Sequence, residues 1–259
     1  MRAAASVGKG GGEKSVDDRG GKSAGEKWFA QRGKNPIINA IKRKMEKGIF
    51  ITFEGGEGCG KTSHIAALAE YLRARGRECV VTREPGGTPL SEKIRALLLH
   101  DKEGEGMSAR AEILLFEAAR AQHVDELIRP ALAAGKCVLC DRFFDSTTAY
   151  QGAARKLDLD DVKSLNAFAA DGLEPDLTIV LDICAAEGLA RAGLRDGNAS
   201  DRMGSERAEF YESVRSAFLR LASGNPERFA VVDASGSKEE TFAKVVEAVE
   251  RKGLAKCRT

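Results

Sequence analysis

The sequence predicts an α/β fold in which a five-stranded parallel sheet is covered by helices on both faces. Three observations carry that prediction. Five short, mostly apolar runs, "GIFITFE", "ECVVTRE", "KCVLCDRF", "PDLTIVLDI" and "RFAVVDA", recur along the 259 residues, each of strand length. Helix-patterned segments separate them, which is the order of a parallel sheet buried on both faces. Glycine and proline breaks fall at the joins, at Gly76, Pro85-Gly86-Gly87 and Gly135.

From residue 48, "GIFITFE" is a continuous apolar strand that runs into "GGEGCGKT". Glycine inside regular structure costs roughly 0.5–1 kcal/mol relative to alanine, so this cluster should serve something. The spacing Gly55-x4-Gly60-Lys61-Thr62, with a strand before and a helix after, is the phosphate-binding loop pattern. The helix "KTSHIAALAEYLRARG" ends at Gly76, and the strand "ECVVTRE" is broken at Pro85. "PLSEKIRALLL" and "SARAEILLFEAARAQHVDELIRPALAAG" read as helices. After "KCVLCDRF", helical material continues to about residue 170, with breaks near Gly152 and Leu157. "PDLTIVLDI" leads to a helix over 185–192, a glycine-rich polar stretch over 193–205 and the helix "ERAEFYESVRSAFLRLA". "RFAVVDA" and the helix "SKEETFAKVVEAVERKG" complete the pattern. Ligands of such sheets gather at the carboxyl ends of the strands. Glu54–Thr62, Arg83–Thr88, Asp141–Phe144 and Asp182 should therefore share one edge.

A loop of this kind turns its backbone N–H groups around phosphate oxygens, and the helix behind it adds its positive end. Gly55, Gly56, Glu57, Gly58, Cys59, Gly60, Lys61 and Thr62 are thus the expected ATP-binding stretch of a P-loop NTPase fold. Lys61 is expected to act on the β- and γ-phosphates as a catalytic residue, and Thr62 to offer its hydroxyl to Mg²⁺. The chain has neither the NKxD string of a GTP switch nor the LSGGQ-type signature of a transport ATPase. It has instead arginines at predicted strand ends and loops: Arg83, Arg120, Arg142, Arg191, Arg195 and Arg202. A donor triphosphate and an acceptor monophosphate bring about six negative charges into one cleft, and their reaction needs positioning and charge neutralisation above all. Planar, permanently charged guanidinium groups suit that task.

In order, "FEGGEGCGKT", "TREPGGTPLSEKIRALLL", "AEILLFEAARAQH", "DRFFDSTTAYQG", "PDLTIVLD" and "DRMGSE" resemble the bacterial thymidylate kinases, P-loop kinases of nucleoside monophosphates. The resemblance spans about 48–250. It implies transfer of the γ-phosphoryl group of ATP to dTMP, giving dTDP for dTTP synthesis, with Mg²⁺ as cofactor. It further implies that Arg83 binds the monophosphate, Phe116 stacks on the thymine and Arg120 donates to a carbonyl of the base. Asp141 would organise Mg²⁺ and phosphate, and Arg142 would clamp the acceptor phosphate as a further catalytic residue. Thr147 and Gln151 would face base and sugar, and Tyr150 would crowd the 2′ position against ribose. From the residues alone, Phe116 and Tyr150 also read as core aromatics, and Asp141 as a cap after its strand. Glu57 would lie toward the acceptor's sugar and Mg²⁺. Position 58 is glycine, where some family members carry arginine. The catalytic arginine is then expected from a mobile lid over about 193–205, with Arg195 first and Arg191 and Arg202 in support, Arg191 also on the ATP. Closing such a lid excludes water. The resemblance also implies a homodimer.

Charge divides the chain. Residues 1–44 carry eleven basic and four acidic residues, a net of +7, and the remainder has 30 basic against 35 acidic, a net of −5. Residues 1–47, rich in glycine and charge, are expected to form a disordered basic extension ahead of one domain over 48–255. The basic excess lies in that extension alone, so nucleic acid is not an expected partner. Apolar runs fall short of the roughly 18 residues a bilayer span needs, so no membrane partner is expected. The six cysteines read as free thiols in a reducing cytoplasm. Cys137 and Cys140, three apart in a strand, should point to opposite faces. Cys59 in the loop should make ATP binding sensitive to thiol reagents. His64, His100 and His123 show no ligand spacing. Two other readings stay open: a kinase of another nucleoside monophosphate or a deoxynucleoside, and an NTPase anchored to nucleic acid by the basic tail.

Overall fold

A computed structural model describes residues 48–196 and 208–255, without the side chains at 103 and 194–196. The expected basic extension and Arg202 lie outside the described residues. Strands β1 (Ile49–Glu54), β2 (Cys79–Arg83), β3 (Cys137–Asp141), β4 (Leu177–Asp182) and β5 (Phe229–Asp233) form a sheet in the order β2-β3-β1-β4-β5. Every neighbouring pair is parallel. The helices are α1 (Lys61–Arg73), α2 (Pro89–Leu99), α3 (Ala109–His123), α4 (Arg129–Ala133), α5 (Phe144–Thr147), α6 (Leu159–Ala169), α7 (Ala185–Asp196), α8 (Ala208–Gly224) and α9 (Lys238–Arg251).

β1 is buried throughout because it is the central strand with a helical layer on each face. Its period of two divides it cleanly. Ile49, Ile51 and Phe53 pack with Ile65, Leu68 and Leu72 of α1 and Val245 and Val249 of α9. Phe50 packs on the other side with Val124, Ile128 and Phe143. Cys137 belongs to the first cluster and Cys140 to the second, so the two thiols face apart as the strand period requires.

Two long helical segments carry π turns where ordinary helix was expected, the second of them at the break expected near Gly152. A π turn over Val124–Ile128 separates α3 from α4; Pro130 just beyond has no N–H for the ladder. A second π turn, Thr148–Ala154, follows α5 and carries Tyr150 and Gln151. The third difference concerns the expected lid. Helix α7 runs on to Asp196, where the sequence predicted a break at 193. Gly193 is exposed, and a Cβ there would meet nothing within 4 Å, so the helix passes through it at the modest cost of an exposed glycine. Arg195 therefore stands on the last turn of α7, and residues 197–205 lie outside the described residues.

Candidate functional site

A cleft of about 940 Å³ opens at the carboxyl ends of the strands. Its first component is the turn from β1 into α1. Gly60, with φ +88°, precedes α1, which has no side-chain cap and no acidic residue in its first turn. The N–H groups and positive end of that helix are thus left for an anion. Gly58, at φ +67°, lies against α7: a Cβ there would stand 2.0 Å from the carbonyl oxygen of Gly188. No arginine fits at 58 with α7 in this place.

Lys61 is buried, and its Nζ donates to the carbonyls of Gly55 at 3.2 Å and Gly56 at 2.8 Å. Thr62 Oγ1 donates to Asp141 Oδ2 at 3.0 Å, joining the start of α1 to the end of β3. Cys59 is 2% exposed, with its thiol on the Gly56 carbonyl, so a thiol reagent reaches it only if the loop opens. Arg142 donates to the Gly55 carbonyl and to the carboxylate of Glu57, and its guanidinium lies 5.0 Å from the centre of the Tyr150 ring. Beneath it, Glu54 is fully buried, accepting from Phe143 N at 2.8 Å and Ser146 Oγ at 2.6 Å. Burial first, then the nearby Asp145 carboxylate, pushes its pKa up to about 8.

The second component is a wall built by β2, α3, the π turn after α5, and α6. Arg120 is 2% exposed. Four of its five N–H groups are taken: Nε by Glu84 at 2.8 Å, Nη1 by Glu117 at 2.6 Å and Asn166 at 3.1 Å, and Nη2 by Thr147 at 3.0 Å. Burial disfavours its charge, but Glu117 and Glu84 more than offset this and hold its pKa above the usual arginine value. Glu84 is gripped in turn by His123, whose other ring nitrogen meets Thr82 Oγ1 at 2.7 Å. Gln151 donates to Glu112 at 2.9 Å. The Tyr150 hydroxyl is buried with no hydrogen-bond partner among the described residues; burial raises its pKa. Arg83 is half-exposed and pairs with both oxygens of Glu92.

The cleft lining thus includes Glu57, Gly58, Cys59, Gly60, Lys61 and Thr62 together with Arg83, Phe116, Arg120, Asp141, Arg142, Thr147, Tyr150, Gln151 and Arg191. Gly55 and Gly56 contribute carbonyls that hold Lys61 and Arg142. Arg191 is anchored to the carbonyls of Ala234 and Ser235 at 2.9 Å each and to Glu187. Phe116 and Tyr150 are both lining and core, since each also packs in the cluster around Phe218. Asp182 ends β4 as expected but is held by Arg215, Nε to Oδ1 at 2.7 Å and Nη2 to Oδ2 at 3.1 Å. The side chain of Arg195 lies outside the described residues. The sequence reading set Glu54 and Glu84 on the ligand edge without a role, gave His123 none, and missed Glu112 and Asn166. One signal was present: Glu112, Phe116 and Arg120 are spaced by four, on one face of α3.

The thymidylate kinase family model matches residues 53–245. A thymidylate kinase of Desulfovibrio desulfuricans is 51% identical over 207 residues, covering 78% of this chain and 95% of that one. One of Geobacter sulfurreducens is 52% identical over 204 residues, covering 77% of this chain and 95% of that one. The crystal structure of thymidylate kinase from Ehrlichia chaffeensis, 35% identical, superposes with a TM-score of 0.63 over 78% of this chain and 98% of that one.

Proposed function

The chain belongs to the thymidylate kinase family, and on that footing we propose how its cleft divides the work. The enzyme transfers the γ-phosphoryl group of ATP to dTMP and forms dTDP. The observation that carries the division is one cleft whose lining joins Lys61 and Thr62 to Arg83, Phe116, Arg120, Tyr150 and Gln151.

On the donor side, the loop amides and Lys61 hold the triphosphate. Lys61 exchanges the carbonyls of Gly55 and Gly56 for phosphate oxygens, a replacement of weak acceptors by charged ones. Arg191, fixed beside Ala234 and Ser235, borders the nucleoside of ATP. On the acceptor side, Arg83 and Arg142 take the monophosphate, and the fifth N–H of Arg120 donates to a carbonyl of the base. Phe116 stacks on the ring, and Thr147, Tyr150 and Gln151 surround base and sugar. Arg195, on the last turn of α7, supplies the charge that the transition state needs most.

The family's reaction uses a divalent cation, and we assign it as Mg²⁺ to Thr62 and Asp141. A hydroxyl and a carboxylate oxygen 3.0 Å apart suit a hard ion that keeps much of its water. Among the described residues no group of three or more His, Cys, Asp or Glu side chains could hold a metal. When bound, the ion neutralises charge on the β- and γ-phosphates.

A homodimer is supported by Leu114 of α3 and by Leu159 and Phe168 of α6, large apolar side chains left exposed on two adjacent helices. Among the described residues no helix is long and apolar enough to cross a membrane, and the described cysteines are free. A cytoplasmic location fits those thiols. The basic extension over 1–47 takes no part in catalysis.

ADP release from ATP and Mg²⁺, followed with dTMP, dUMP, dCMP, dGMP and thymidine, tests the acceptor side. Turnover with dTMP should exceed the rest. A preference for dGMP would overturn the assignment of Arg120 and Gln151 to the base, and a preference for thymidine that of Arg83 and Arg142 to the monophosphate. ATP hydrolysis stimulated by DNA without any acceptor would give the basic extension a role.

A further inference from the structure

Gln151 and Glu112 are each 1% exposed. The Gln151 amide nitrogen donates to Glu112 Oε1 at 2.9 Å, and the Arg155 guanidinium lies 3.4 Å from the same oxygen. A carboxylate accepts and does not donate. The NH₂ end of Gln151 must therefore face Glu112, and the carbonyl end must be the one turned away. That carbonyl oxygen takes no hydrogen bond from any described residue, while Gln151 lines the cleft. Glu112 sits in the first turn of α3, on the same face as Phe116 and Arg120.

An acceptor presented at this point discriminates between pyrimidines. Thymine and uracil carry N–H at ring position 3; cytosine carries a lone pair there. The carbonyl bonds to the first two and opposes the third. An amide turned the other way round would do the reverse. We propose that Glu112 is a positioning residue that sets acceptor specificity by holding the Gln151 amide in one orientation. This rests on Gln151 facing the base, as assigned above.

Glu112→Gln tests it. An amide at 112 can accept from or donate to Gln151, so residue 151 becomes free to turn, while size and burial are kept. kcat/KM is measured for dTMP, dUMP and dCMP, with KM for ATP alongside. The dTMP-to-dCMP ratio should fall about tenfold, the discrimination of one buried hydrogen bond. The dTMP-to-dUMP ratio and KM for ATP should stay as they are, because both bases keep the N–H; a general loosening of the wall would move both. The exchanged pair Glu112→Gln with Gln151→Glu places an acceptor-only group at 151 and should restore the rejection of dCMP. An unchanged dTMP-to-dCMP ratio in folded Glu112→Gln overturns the proposal. If that variant does not fold, Glu112→Leu, which removes the acceptor that holds the amide, decides: a fallen dTMP-to-dCMP ratio supports the proposal, and an unchanged one overturns it. Failure of the wild-type enzyme to prefer dTMP over dGMP would instead overturn the assignment on which the proposal rests, so the two failures are distinct.

Discussion

In the phosphate loop, Lys61 is held by the carbonyls of Gly55 and Gly56, no more than six residues away. In the acceptor wall, Arg120 is held by Glu84, Glu117, Thr147 and Asn166, the last 46 residues away. The loop's contacts are weak ones, made to neutral acceptors that an arriving phosphate can replace. Those of Arg120 include two buried carboxylates and are already complete but for one N–H. The loop is thus built to exchange partners, and the wall to keep them. A base with two or three hydrogen-bonding groups needs fixed counterparts, since an amide or guanidinium free to turn would accept the wrong ring. A phosphate carries equivalent oxygens and needs mainly charge and amide donors.

The sharpest way to break this contrast is Lys61→Ala. kcat should fall by about 10³-fold or more, with the melting temperature little changed, because Arg142 still donates to the Gly55 carbonyl and Cys59 to that of Gly56. A loss of stability as large as the loss of turnover would place Lys61 with the wall. Arg195→Ala should lower kcat by roughly 10³-fold with little change in KM, as for a contact made mainly in the transition state. A rise in KM alone would move the catalytic role to Arg191 or Arg202.

Arg120→Ala should behave in the opposite manner. It strands Glu84 and Glu117 without a counter-charge, so unfolding free energy should drop by about 3–5 kcal/mol. Acceptor kcat/KM should fall with it, and KM for ATP should not move. Denaturant titration alongside initial rates checks both halves.

Glu54 joins the two regions, since it braces Phe143 and Ser146 beside Arg142. Its pKa is raised from 4.5 to about 8 in the fold, so the native state holds a proton that the unfolded chain releases. Its stabilising contribution is complete below the unfolded value and is lost as pH rises through the folded one. Stability measured between about pH 5 and 9 should therefore decline for the wild type and be flatter for Glu54→Gln. A parallel decline in both would assign the slope to another group. The smallest effect is expected from deleting residues 1–44, which should leave kcat and both KM values unchanged in the same assay.

How far the site could be read in advance follows the same division. The glycine turn and helix over 55–73 are contiguous, so their backbone hydrogen bonding is set mainly by neighbours in the chain. The glycines of that turn announce a backbone that must come close to something. Arg83, Asp141 and Arg142 were legible for a related reason, because a parallel sheet brings the ends of its strands to one edge. Phe116 and Tyr150 were ambiguous in the sequence and serve both as core and as lining. The roles of Glu84, His123 and Asn166 could not be read, since a buried polar group declares itself only through its partners, here Arg120 and one another, 36 to 46 residues away.

The order of strands and helices, the anion-binding turn and the edge on which ligands gather were thus determined by the sequence itself, through local geometry and hydrophobic period. Which carboxylates grip Arg120, which way the Gln151 amide faces and why nothing larger than glycine fits at 58 were decided only by the tertiary structure. The physical reason is that local conformation is limited by neighbouring sterics, whereas a buried polar group has no defined state until folding removes water and supplies its partner.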